Sequence, residues 1–209
     1  MSPRPRKVSD EEVFAATYRA MSRLSPSELT LAAIAAEAGV TAGALVQRFG
    51  SKRDLLLALS DRYSSGTSQM FADLRKANPS PISTLRAYGD CLSQMAVSPA
   101  ALARSLSYLQ IDLTDPDFRK HLEVQARLTR SELQALIKAA VGAKELLRNT
   151  DARQLARTVE AVLTGSMMAW AHYQEGAAAE WMRADLEAVL APFLPTRTKK
   201  RTKRTKPSK

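Results

Sequence analysis

Between Leu31 and Leu59 the chain reads LAAIAAEAGVTAGALVQRFGSKRDLLLAL, and Gly39 and Gly50 punctuate this run into three helices. Leu31, Ala32, Ile34, Ala35 and Ala38 give a short helix with an apolar face. Gly39 stands where a helix C-cap needs a left-handed residue, a conformation that glycine takes cheaply. Val40 is placed to plug the corner between two helices. Thr41 is the N-cap candidate of the second helix. In that helix Ala42, Gly43 and Ala44 are small, while Leu45 and Phe49, four apart, share one face. Gly50 stops it. Ser51 opens a third helix, with Asp54 three residues on as a variant of the capping box.

Two short helices joined by a glycine turn make a helix-turn-helix, whose second helix enters the major groove of DNA. Small residues at the start of that helix let it approach base edges and phosphates closely. Gln47 and Arg48 are long and polar enough to reach out from it. On these residues alone, a helical hairpin inside an ordinary bundle core remains the alternative.

The rest of the chain reads as helix throughout, with no strand alternation. Ser9 and Glu12 form a capping box for a first helix reaching about Leu24, with Val13, Phe14, Thr17, Met21 and Leu24 on its inner face. The third helix of the glycine-punctuated run is the fourth overall. It extends from Ser51 to about Arg75, with Leu55, Leu59, Tyr63, Met70 and Leu74 inward. The KANPSP segment, Lys76 to Pro81, is the clearest break, because proline cannot continue a helix. Helices five to nine are predicted at about 82–96, 99–111, 117–141, 151–174 and 178–194. Ser98-Pro99 and Asp115-Pro116 act as start signals, and Gly176 closes the eighth. A helical turn at Glu145 to Leu147 is expected between the seventh and eighth.

The segment from Thr30 to Leu56 resembles the DNA-binding domain of TetR-family transcriptional regulators. The matching residues are Thr30, Ile34, Ala35, Glu37, Ala38, Gly39, Val40, Gly43, Leu45, Phe49, Ser51, Lys52, Leu55 and Leu56. The resemblance is specific over residues 9 to about 60; beyond them it lies in helix number and length. One position departs. The family usually carries Tyr after the leucine of the recognition helix, where it touches a phosphate, and here that residue is Val46. The resemblance implies an all-α fold: a helix-turn-helix domain over 9–54 and a helical effector-binding and dimerisation domain over 55–195. A basic arm (1–8) and a basic tail (196–209) flank them. It implies a ligand-responsive repressor that binds a palindromic operator as a homodimer.

The DNA-facing candidates are Thr41, Ala42, Gly43, Ala44, Gln47 and Arg48. Gln pairs bidentately with adenine, and Arg with guanine. Thr30 and Lys52 lie at helix N-termini, where free amides and the dipole favour a phosphate. Arg4 and Arg6 are placed to enter the neighbouring minor groove, as basic arms do.

Charge supports a polyanionic partner. The net charge is +10, and eleven of the 31 basic residues lie in the arm and the tail, leaving 20 to face 21 acidic residues. The excess therefore sits at the ends, which are expected to be disordered when free and to meet double-stranded DNA. A merely solubilising tail is the alternative for residues 196–209. No apolar run is long enough to span a membrane and no signal peptide is visible, so a cytoplasmic protein is expected. The lone Cys91 excludes an internal disulfide and reads as a small core hydrophobe.

No enzyme is indicated. His121 and His172 lie on different helices, and no metal-ligand spacing, phosphate-cradling glycine loop or nucleophile triad is present. No cofactor is called for. The eighth helix is apolar on two faces: Leu155, Val159, Val162 and Trp170 on one, and a small-residue stripe of Ala161, Gly165 and Ala169 beside it. With Trp181, Leu186, Val189, Leu190 and Phe193 of the ninth helix, the stripe forms the predicted dimer surface. The family's four-helix bundle across a two-fold axis has this form. A cavity among helices five to eight, for a small apolar or amphipathic effector, is implied by the resemblance rather than by these residues. Its candidate lining is Met95, Leu102, Leu106, Tyr108, Leu109, Gln110, Phe118, Leu122, Gln125, Met167, Met168 and Trp170. Two other functions remain open: an architectural DNA-coating protein without sequence preference, and a helical small-molecule carrier.

Overall fold

The computed structural model describes residues 8–195, and among these nine α-helices and no strands are found. The helices are α1 (Asp10–Met21), α2 (Leu31–Ala38), α3 (Ala42–Phe49), α4 (Lys52–Ala77), α5 (Pro81–Ser93), α6 (Pro99–Thr114), α7 (Pro116–Gly142), α8 (Ala152–Tyr173) and α9 (Ala178–Leu190). Short 3-10 turns extend α5 and α9, at Gln94–Ala96 and Ala191–Phe193. The residues read as caps do cap. Ser9 and Glu12 satisfy each other's backbone amides, and Thr30, Thr41, Ser51 and Ser98 each accept a hydrogen bond from an amide in the first turn. Gly39 adopts φ +69° and Gly50 φ +88°, the left-handed region that a side chain would strain.

Three local expectations are corrected. Gln174, not Gly176, is the left-handed C-cap of α8, with φ +55°. Residues 145–147 form no helix; the loop is held instead by the Leu147 amide, which donates to the Phe193 carbonyl at 2.8 Å. Cys91 is exposed rather than in the core.

Apolar burial falls into two clusters. The first holds Val13, Leu29, Ile34, Leu45, Leu55, Leu56 and Leu59, and it also takes Tyr108 from α6 and Phe118 from α7. The second is built around Phe71, Leu85, Leu133, Ile137, Leu155, Leu163 and Leu186, from α4, α5, α7, α8 and α9. Helix α4 is shared: its first two turns sit in one cluster and its last three in the other. At 26 residues it is about 39 Å long at 1.5 Å per residue, enough to span both. Tyr63, expected on its inner face, is 47% exposed. It sits near mid-helix, where α4 passes from one core to the other.

Since Phe118 closes the first cluster from the second half of the chain, Phe118→Ala should cost about 3–5 kcal/mol of stability. Denaturant unfolding checks this. A loss below 1 kcal/mol would mean that the first cluster closes without α7.

Candidate nucleic-acid interface and the seam behind it

Helix α3 presents an outward face of Thr41, Gly43, Ala44, Val46 and Gln47, all exposed; Leu45 is buried and anchors the helix. Ala42 is half-buried and packs against the first core. The Thr41 and Thr30 hydroxyl oxygens cap their helices, each accepting an amide hydrogen bond at 3.1 Å. Val46 is 49% exposed, on the side where the family's tyrosine would stand. The α2–α3 pair is fastened to α1 by Glu37, which accepts hydrogen bonds from the Arg19 and Arg23 guanidinium groups. These two arginines hold the Glu37 carboxyl below the usual carboxylate range.

Two candidates do not point outward. Arg48 turns back toward the start of α1. Its Nη1 donates to the Val8 carbonyl at 2.7 Å, its Nη2 pairs with Asp10, and the guanidinium lies 5.5 Å from the Phe49 ring centroid. Lys52 likewise spends its ammonium on the loop before α2, donating to the carbonyls of Pro26 at 3.1 Å and Leu29 at 2.8 Å. Both side chains saturate backbone carbonyls that lack a helical partner, and single-sequence reading has no signal for such long-range pairing. Arg4 and Arg6 lie outside the described residues, as does the tail 196–209.

Behind this face lies a seam between α1 and α4 on one side and α6 and α7 on the other. Tyr108 donates its hydroxyl to the Leu24 carbonyl at 2.8 Å, and Arg104 Nε donates to the Ser22 carbonyl at 2.8 Å. Burial, with the Glu28 charge nearby, pushes the Tyr108 hydroxyl up to about 12. Arg53 at the start of α4 reaches the α6–α7 corner, donating to Asp115 and Asp117 at 2.9 Å and lying 5.6 Å from the Phe118 ring centroid. These hydrogen bonds hold both carboxyls below their ordinary value.

A cavity of about 140 Å³ opens in this seam, between α1, α4, α6 and α7. It shares α6 and α7 with the placement expected among helices five to eight, and has α1 and α4 in place of α5 and α8. Of the predicted lining, Tyr108, Phe118, Leu122 and Gln125 do face it. The others do not. Leu102, Met167 and Trp170 are buried in the second core, and Leu106 and Met168 pack against it. Met95 and Gln110 are exposed, and Leu109 is half-buried outside the cavity. The rest of the lining, Tyr18, Met21, Leu56, Leu59, Ser60, Tyr63, Ile111, Asp112 and His121, carries no pocket signal in the sequence. Met21, Leu59 and Tyr63 have inner-face spacing, but that pattern cannot tell a packed contact from a cavity wall. Asp112 had no signal at all.

The predicted dimer surface also divides. Leu186 and Leu190 are fully buried in the chain's own core, and Trp181, Val189 and Phe193 pack partly against it. Ala161 and Gly165 on α8 are exposed and Ala169 is half-buried. Among the described residues no cluster of His, Cys, Asp or Glu could hold a metal, and no helix is long and apolar enough to cross a membrane.

The Arg53 contacts have a pH signature. Carboxyl pKa values lowered in the folded state give stability that is present above the unfolded value, 3.8 for aspartate, and is lost as pH falls through the folded values. Arg53→Gln should therefore melt below the wild type at neutral pH, and the gap should narrow at pH values under 3.8. Melting curves across that range test this; a constant gap would assign the effect to the Phe118 stacking alone.

Comparison with known proteins agrees with this geometry. Residues 13–59 match the profile of bacterial regulatory proteins, tetR family, and residues 108–186 match that of the tetracyclin repressor-like C-terminal domain. No curated protein matches the chain. Among solved structures, a TetR transcription regulator from Haloarcula marismortui superposes with a TM-score of 0.68 at 22% identity, covering 89% of this chain and 98% of its own. SmeT, the repressor of the SmeDEF multidrug efflux pump of Stenotrophomonas maltophilia, gives 0.64 at 19%, covering 97% and 98%. FadR from Bacillus subtilis, in complex with stearoyl-CoA, gives 0.66 at 15%, covering 88% and 98%. With the helix-turn-helix matched at one end, the C-terminal domain at the other, and the whole architecture shared, this chain belongs to the TetR family of transcriptional regulators.

Proposed function

We propose that the protein is a homodimeric repressor that binds a palindromic operator and is released by a small molecule held in the seam cavity. The cavity carries this reading. Its walls come from both halves of the chain, so an occupant touches the helices that position α3 and the helices that position the body. A ligand shifts such an equilibrium only if it binds the two spacings of the seam differently. The alternatives sit less well: a carrier has no use for a helix-turn-helix, and a non-specific DNA coat has no use for a cavity at its hinge. A regulator of this kind acts where the DNA is, in the cytoplasm.

For pairing, the exposed small residues Ala161 and Gly165 let a second copy's α8 approach closely. A two-fold dimer presents two α3 helices to two half-sites. At Gly165 an added Cβ meets nothing within 4 Å, so a side chain there is tolerated within one chain. Gly165→Glu should fold as stably as the wild type, run as a monomer in light scattering, and lose the palindromic duplex. An unchanged dimer mass would move the interface elsewhere.

For reading, Gln47 is exposed and unengaged by any described contact that would have to break, whereas Arg48 must leave Asp10 and Val8 to reach a base. Gln47→Ala should relax one position of each half-site by about 1–3 kcal/mol. Arg48→Ala should weaken binding to all sequences alike by releasing the arm at Val8. Binding-site selection with each variant separates the two roles; a motif altered only by Arg48→Ala would reverse them.

A further inference from the structure

We propose that the seam cavity takes a small organic cation with an aromatic body, an amine or quaternary ammonium, with Asp112 as its counter-ion. The inference rests on the reading of this cavity as the effector site and names the effector's chemistry. Among the thirteen lining residues Asp112 supplies the single carboxylate, and neither lysine nor arginine is among them. No ion pair to Asp112 is formed by any described residue, whereas Asp115 and Asp117 next along the chain are both paired with Arg53. The surroundings of Asp112 are apolar and aromatic, with Tyr18, Tyr63, Tyr108 and Phe118 in the walls.

The other polar wall groups are already engaged or neutral. The Tyr108 hydroxyl is given to the Leu24 carbonyl. His121 turns Nδ1 toward Asp61, which is 70% exposed, at 3.5 Å. Ser60 and Gln125 are neutral. Burial raises the Asp112 carboxyl above its ordinary value, the direction expected of a charge lacking a partner. A half-buried carboxylate without a cation gains when one arrives, and the Tyr18, Tyr63 and Tyr108 rings in the walls can add attraction for the same charge. An anion would meet the carboxylate without a compensating arginine or lysine in the walls. Tyr18 and Tyr63, whose rings pack against each other with centroids 5.9 Å apart, are both about half exposed.

The test uses three soluble probes that share one body: 2-phenylethylammonium, 2-phenylethanol and phenylacetate. Each is titrated calorimetrically into the full-length protein at neutral pH. The cation should bind at least about tenfold tighter than the alcohol, and the anion should bind weakest. Asp112→Asn should bring cation and alcohol within about twofold of each other while leaving alcohol affinity unchanged; Asp112→Glu should keep most of the preference. Removing an unpaired half-buried charge should leave the melting temperature of Asp112→Asn equal or higher, which separates lost recognition from lost folding. Equal affinity for cation and alcohol in the wild type, or a preference that survives Asp112→Asn, would overturn the cation assignment and leave the cavity as a site for neutral ligands. Failure of all three probes to bind would overturn the effector site together with it.

Discussion

The first hydrophobic core is not closed by the helices that read DNA. Val13, Ile34, Leu45 and Leu55 meet there, but Tyr108 and Phe118 complete it from α6 and α7. A three-helix unit of this size buries too little of its surface to be securely stable alone. Borrowing two aromatic side chains solves that problem and creates another property. The position of α3 is set through the first core, and that core includes the body of the protein. A displacement of α6 or α7 is therefore felt by the DNA-reading face without any separate transmission device.

The polar contacts follow the same line. The loop between α1 and α2 carries carbonyls that no helix satisfies. The Ser22 and Leu24 carbonyls accept from Arg104 and Tyr108 of α6, and those of Pro26 and Leu29 accept from Lys52 of α4. Unpaired carbonyls in such a place would be costly, so the loop is tied to both sides of the seam. Arg53 adds a longer tie from α4 to the α6–α7 corner. Each of these bonds is partly exposed and individually modest. Together they fix one spacing of the seam.

Helix positions, caps and the turn at Gly39 were legible because each is written in a few neighbouring residues. A left-handed glycine or a Ser-Pro start needs no knowledge of what lies elsewhere. The contacts that Arg48 and Lys52 make within the chain were not legible, for the converse reason. A long cationic side chain at the edge of a recognition helix looks free until Val8, forty residues away in sequence, or Pro26 is brought beside it. The lining of the seam cavity was illegible through a similar blindness. Leu102, Met167 and Trp170 have the composition of a pocket wall, but the second core closes over them. Met21 and Tyr63 have the spacing of core residues, but α4 passes from one core to the other at that level and leaves a gap. Dimer candidates such as Leu186 failed because an apolar stripe does not say whether its partner is in the same chain.

The size of the cavity bears on how strongly an occupant can act. A tenfold change in DNA affinity requires a differential binding free energy of about 1.4 kcal/mol between the two seam spacings. Burying about 60 Å² more apolar surface in one spacing than in the other supplies that, at roughly 25 cal/mol per Å². A fraction of one aromatic ring is enough. An occupant of the 140 Å³ space therefore needs no large displacement of α4. It needs only to fit one spacing well, because the Tyr108 and Phe118 contacts that set the spacing also form its walls. In the proposed reading the same side chains serve as core, hinge and binding surface, which would tie the response of α3 to packing within the seam rather than to a chain of remote contacts.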